Sequence, residues 1–218
     1  MAATRWSLAF IAAGLFTAGL FADGLFADGL AAQPMTANGV TFSDEYGGFT
    51  IAAVSGSGST DDPFIVVEEI TGPTSVVLVI MGIGPDFGNK VGTLHPMGFA
   101  LRKIVRNKTP YIWNFMEFEL QQILGVSSDY LDGLSFGQGS VSGRPFTSNR
   151  FNDSHDQVEP IDMVTFSGGA IRPGESAVFN VIITDTTPIP VFYLVQQPNR
   201  PMARLFTHDA AYPGTPPW

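Results

Sequence analysis

The chain has 218 residues, of which 20 are acidic and 11 basic, giving a formal net charge of −9; only 14% are charged, 44% are hydrophobic, and none is cysteine. So apolar a composition, against about 25% charged residues in ordinary globular chains, excludes a disordered tail or a coiled coil. The negative charge argues against nucleic-acid or anionic-membrane binding, and the missing thiols exclude a disulfide scaffold, thiolate zinc sites and cysteine nucleophiles.

Arg5 precedes an uncharged apolar run over 6–22, and Gly29 and Ala31 offer small residues at the −3 and −1 positions of a signal-peptidase site. That layout predicts a signal peptide over 1–31, cleaved near Ala31 or Ala32. Asp23 and Asp28 interrupt the run before it reaches the roughly 20 apolar residues of a membrane span. Gly-Leu-Phe-Ala-Asp at 19–23 recurs at 24–28 as a duplication inside the leader. The expected product is periplasmic or extracellular, without a stable membrane anchor after cleavage.

The remainder reads as short apolar runs between turn-rich clusters. Phe-Ile-Val-Val at 64–67, the Val-rich run at 75–81, and the runs at 163–166, 177–184 and 191–196 are β-branched and too short for core helices. Residues 97–107 alternate at Phe99, Leu101 and Val105, which favours a strand over the helical spacing of Leu101, Ile104 and Val105. Residues 113–124 read as a strand ending in a helical turn before Gly125. Short strands with turn punctuation and no helical pattern between them predict an all-β fold. The expected architecture is an antiparallel β-sandwich, immunoglobulin-like or jelly-roll-like, over 32–197. Residues 56–63 read as a surface loop and 125–160 as one long glycine-, serine- and aspartate-rich loop. Residues 198–218, with five prolines, read as a peripheral tail.

Asn107, Thr109 and Trp113, followed by alternating Phe and Glu through 115–119, resemble a segment of uncharacterised exported bacterial β-sandwich proteins, some of which carry a Pro-Glu-Pro C-terminal sorting signal. The likeness continues through Asp-Gly-Leu-Ser-Phe at 132–136, Phe-Ser-Gly-Gly at 166–169, Pro173-Gly174 and the run at 192–198, covering most of 97–198. It implies an extracytoplasmic sandwich and supplies no activity. The chain does not close on Pro-Glu-Pro, an apolar helix and a basic cluster, so anchoring by that route is not expected.

Gly133-Leu-Ser135-Phe-Gly137 matches the nucleophile-elbow pattern, and His155 is the one sensible base for Ser135. The elbow requires a following helix, whereas three glycines and a proline follow here over 137–145. The favoured reading is a turn into a short strand with Phe136 buried. Asp129, Asp132, Asp153 and Asp156, with Asp61, Asp62 and Asp162, are loop aspartates of the kind that bind Ca²⁺, but they lack a Ca²⁺-loop spacing and read as turn residues. His95, His155 and His208 form no zinc-like pair. Tyr111, Trp113 and Phe115 fall on one face of a strand, which suits either a sugar-stacking platform or, preferably, the core. Arg102, Lys103, Arg106 and Lys108 read as a solvated strand face. Asn107-Lys-Thr109 and Asn152-Asp-Ser154 match the glycosylation sequon, which matters only in a eukaryotic secretory route.

The expected function is therefore non-catalytic: binding, or surface assembly by self-association or a protein partner at edge strands. A Ca²⁺- or carbohydrate-binding module is the alternative, and a serine hydrolase using Ser135 is the remaining one. No cofactor is expected beyond a possible Ca²⁺ ion.

Overall fold

Asn38-Gly39 is a two-residue turn signal, and both residues take positive φ (44° and 85°) to close the first hairpin. In the computed structural model, which describes residues 33–137, 146–157 and 160–199, this hairpin joins β1 (Met35–Ala37) to β2 (Val40–Ser43). There follow β3 (Phe49–Ser55), β4 (Phe64–Ile70), β5 (Val76–Met81), β6 (Met97–Asn107), β7 (Met116–Gln121) and β8 (Leu134–Phe136). The order is completed by β9 (Thr147–Ser148), β10 (Phe151–Gln157), β11 (Met163–Gly169), β12 (Ser176–Asp185) and β13 (Val191–Pro198). The expected leader, His208 and all of the tail beyond Asn199 lie outside the described residues.

The protein is an all-β sandwich. One sheet has the order β1-β2-β5-β13-β7-β11-β10, and the other β3-β4-β6-β12-β8, with β9 also on β12. Pairing is antiparallel except between β4 and β6, which run parallel from Phe64↔Leu101 to Ile70↔Asn107. The connection explains the exception: β5 lies in the opposite sheet, so the chain crosses over and returns beside β4 in the same direction.

Every second side chain of each strand faces the partner sheet, and phenylalanine dominates the seam. Phe42 meets Phe64 at 5.5 Å between ring centroids, Phe99 meets Phe192 at 6.3 Å, and Phe118 meets Phe179 at 5.2 Å, each pair joining the two sheets. Phe179 also touches Phe151 and Phe166. Edge-to-face and offset pairs of this kind add to the area term of burial.

Three expectations are corrected. The segment 125–160 is not one loop, because it carries β8, β9 and β10. Strand β10 is paired along its length with β11, from Phe151↔Gly169 to Gln157↔Met163. It lies at a sheet edge with Phe151 as its buried residue, so its polar side chains hide the strand from an apolar pattern. The strand expected over 113–124 is confined to β7 and ends in a tight turn at Ile123–Val126, not a helical one. Lys103 is not on a solvated face. It lies on the inward row of β6 with Leu101 and Val105 and is 0% exposed, while Arg102 and Arg106 point outward.

Inside the seam Lys103 Nζ donates to Glu68 Oε2 at 2.8 Å, and Gln196 Nε2 donates to the same oxygen at 3.3 Å. Burial holds the Lys103 amine below its usual range, against the opposing pull of Glu68.

Phe179 contacts three rings from the other sheet, so Phe179→Ala is expected to lower stability by about 3–5 kcal/mol, the usual cost of truncating a buried aromatic. Equilibrium denaturant unfolding measures it.

Candidate functional site

The segment between β6 and β7 is built around the Asn107 side chain, which is fully buried. Its Nδ2 donates to the carbonyls of Tyr111 at 2.7 Å and Ile171 at 3.1 Å. Its Oδ1 accepts from the Thr109 amide at 2.9 Å and the Thr109 hydroxyl at 2.7 Å. Both donors and both lone-pair sites of the amide are thus used. Thr109 Oγ1 in turn accepts from Trp113 Nε1 at 3.1 Å, and Trp113 exchanges both backbone hydrogen bonds with Ile171. Asn107-Lys-Thr109, read as a sequon match, is therefore an asparagine-centred turn, and the Asn107 amide is inaccessible in the fold.

From the other side Asn199 clamps the same segment. Its Oδ1 accepts from the Asn114 amide at 2.8 Å, and its Nδ2 donates to the Ile112 carbonyl at 2.6 Å. The sandwich thus continues through Pro198 and Asn199, past the expected boundary at 197.

The three aromatic residues do not share one face. Trp113 is 2% exposed, Tyr111 is 58% exposed, and Phe115 is half-buried. The reason is local: all three precede β7, so strand alternation does not govern them. Tyr111 and Ile112, the latter 48% exposed, stand over an open cleft of about 660 Å³. Pro73, Pro110 and Pro198 line it with Thr109 and Asn199, and among the described residues none that lines it carries a formal charge. Beside it, Glu69 on the outer face pairs with Arg106 and Lys108 at 3.3 and 3.4 Å.

The structure does not bring Ser135 and His155 together. Ser135 is 1% exposed within β8, in register with Thr184 of β12, whereas His155 is exposed on β10 of the other sheet, opposite Thr165. Phe136 beside Ser135 is fully buried, as expected. Gly133, the first glycine of the elbow pattern, has φ +91° and lies so close to the Thr186 hydroxyl that a Cβ would fall 2.3 Å from it. Its glycine thus serves a left-handed turn against Thr186, which any G-x-S-x-G match on a turn can imitate.

The aspartates hold turns. Asp129 accepts from the Leu131 amide and Asp132 from the Leu134 amide. Asp62 closes the 57–62 loop through its backbone, and buried Asp162 accepts from the Phe136 amide. Asp153 and Asp156 lie on β10, away from that turn in the order of strands. Among the described residues no group of three or more His, Asp or Glu side chains is placed to hold a metal ion. His95 is half-buried, and burial draws its imidazole below the usual range while Asp185 acts in the opposite direction.

Asn107→Ala removes donors from two carbonyls and an acceptor from Thr109, so a loss of about 1–3 kcal/mol per orphaned buried group is expected. Tyr111→Ala, on the exposed side of the same loop, is expected to change stability by no more than about 0.5 kcal/mol. Paired unfolding curves of the two variants separate the loop's scaffold from its display surface. Comparison with protein-family models, with curated proteins and with solved structures found no match to this chain.

Proposed function

We propose that the chain is an exported, non-catalytic β-sandwich protein that binds an extended, uncharged peptide segment of a protein partner in the cleft at Tyr111 and Ile112. The observation that carries this reading is the way the loop spends its polar groups. The Tyr111 and Ile112 carbonyls are held by Asn107 and Asn199, which leaves the two side chains exposed on a fixed backbone. A surface organised before binding loses little conformational entropy when a ligand arrives. Extended proline-rich peptides dock in aromatic-lined grooves, and Tyr111 and Trp113 line this one.

A carbohydrate ligand has less support, because two of the polar side chains of the cleft, Thr109 and Asn199, are already committed within the loop. Self-assembly through sheet edges is also the weaker reading. Strands β1, β8 and β9 are three residues or shorter, β3 carries a register shift between Ile51 and Ala53, and β10 bears Asp153 and Asp156. Short, bulged and charged edges resist pairing with a second copy. Export rests on Arg5, the apolar run after it, and the small residues Gly29 and Ala31.

Titration with short uncharged proline-containing peptides and, separately, with neutral oligosaccharides tests the cleft. Peptide binding that weakens at least about tenfold in Tyr111→Ala, equivalent to about 1.4 kcal/mol, is the expected result. Binding confined to oligosaccharides, or peptide binding unchanged in both Tyr111→Ala and Ile112→Ser, would overturn it. Mass spectrometry of the exported fraction is expected to find an N-terminus within a few residues of Ala32; an intact Met1 terminus there would refute export with cleavage.

A further inference from the structure

Three polar side chains meet in the middle of the seam at positions where alternation otherwise places apolar residues. Glu68 on β4 and Lys103 on β6 come from one sheet, Gln196 on β13 comes from the other, and all three are 0% exposed. Glu68 Oε2 accepts from both nitrogens, Lys103 Nζ at 2.8 Å and Gln196 Nε2 at 3.3 Å. Among the described residues, neither Glu68 Oε1 nor Gln196 Oε1, both buried, has a hydrogen-bond partner. The Phe118 ring lies 5.9 Å from the Lys103 ammonium. A buried ion pair that served stability alone would be expected to satisfy its remaining lone pairs. This one leaves two oxygens open and holds an amine and a primary amide against one carboxylate oxygen.

We propose that the protein forms an isopeptide bond between Lys103 and Gln196, with Glu68 as the catalytic proton relay, and so joins its two sheets covalently. Transfer of one proton from Lys103 to Glu68 leaves a neutral amine and a neutral acid, the forms that an apolar interior favours. The Nζ electron pair attacks Gln196 Cδ, and the carbonyl π pair moves onto Oε1. Glu68 gives its proton to Nε2 and takes one from the attacking nitrogen. The Oε1 pair then re-forms the carbonyl, the Cδ–Nε2 bond breaks, and ammonia leaves. One amine and one primary amide thus become one secondary amide and one ammonia, and the reaction needs no oxidant, reductant or metal. The first proton taken from Lys103 leaves within the ammonia, and the second, taken from the attacking nitrogen, remains on Glu68 or passes to the ammonia to give ammonium.

The position of Oε2 selects this reaction over direct condensation of Lys103 with Glu68. A relay must stand between the attacking and the departing nitrogen, and Oε2 is within hydrogen-bond distance of both. Direct condensation would instead expel water from a carboxylate, a poorer acyl acceptor, and leave Gln196 without a role. The product would supply, in a chain with no cysteine, the covalent tie between sheets that a disulfide supplies elsewhere.

The test is mass spectrometry of the purified full-length chain, denatured and digested with trypsin. The expected result is a branched peptide joining Lys103-Ile-Val-Arg106 to the segment that contains Gln196, lighter than its two parts by one ammonia, about 17 Da. The branched peptide is the deciding readout, because an N-terminal Gln33 left by leader cleavage could cyclise with the same loss. Unbranched peptides at both positions would overturn the proposal, and so would a branch between Lys103 and Glu68 with loss of water. Glu68→Gln keeps the side chain's shape and removes the relay, so the branched fraction is expected to fall at least tenfold. An undiminished branch in that variant would overturn the role of Glu68. Should the variant not fold, the wild-type digest still decides whether the bond exists.

Discussion

Strand β6 is paired on both sides, by β4 and by β12, so the pleat leaves its side chains two directions and no others. Phe99, Leu101, Lys103, Val105 and Asn107 all point between the sheets. The first two and Val105 are what a core requires. Lys103 and Asn107 are not, and the rest of the interior is arranged around them. A buried ammonium needs a counter-ion, which Glu68 supplies from the parallel neighbour β4, and Gln196 reaches the same oxygen from across the seam. A buried amide needs four partners, which Asn107 finds in Thr109, Tyr111 and Ile171.

Those two solutions differ in kind. The Asn107 network is closed: its bonds tie the end of β6 to the loop before β7 and to the chain just before β12, and it ends with Trp113 pinned inward and Tyr111 pushed outward. Closed networks rigidify, and the cleft depends on that rigidity. The Lys103 cluster is open: two of its buried oxygens are unmatched among the described residues. Replacing a buried ion pair by apolar residues of similar volume is often neutral or stabilising, so packing alone does not account for the pair, and cross-linking chemistry does.

The Gly133–Gly137 pattern makes the complementary point. Its serine is buried in a short strand and its first glycine answers to a left-handed turn beside Thr186. A motif drawn from catalysis and a motif drawn from turn geometry can share the same letters, and the strand or helix that follows distinguishes them. The cleft beside Trp113, by contrast, has no motif. It arises where a satisfied loop leaves two apolar side chains with no interior left to enter.

The strand runs of β5, β6, β11, β12 and β13, the all-β class and the burial of Phe136 were legible in the sequence, because alternation and turn residues are local signals. Trp113 is buried as expected, but through the Asn107 network and not through the alternation from which it was read. The inward direction of Lys103 followed from the same alternation that placed Leu101 and Val105, yet its basic neighbours Arg102, Arg106 and Lys108 masked it. Strand β10 was illegible because an edge strand can be polar on both faces and still have its backbone satisfied by β11. Which of Tyr111 and Trp113 faces water was decided by Asn107, Ile171 and Asn199, residues up to 88 positions from Tyr111 in the chain. Pairings across that separation, like the parallel match of β4 to β6 and the meeting of Gln196 with Glu68, exist only once the two sheets have closed. Local sequence determines which residues can form strands and turns; the closing of the sheets determines which polar groups must then find one another.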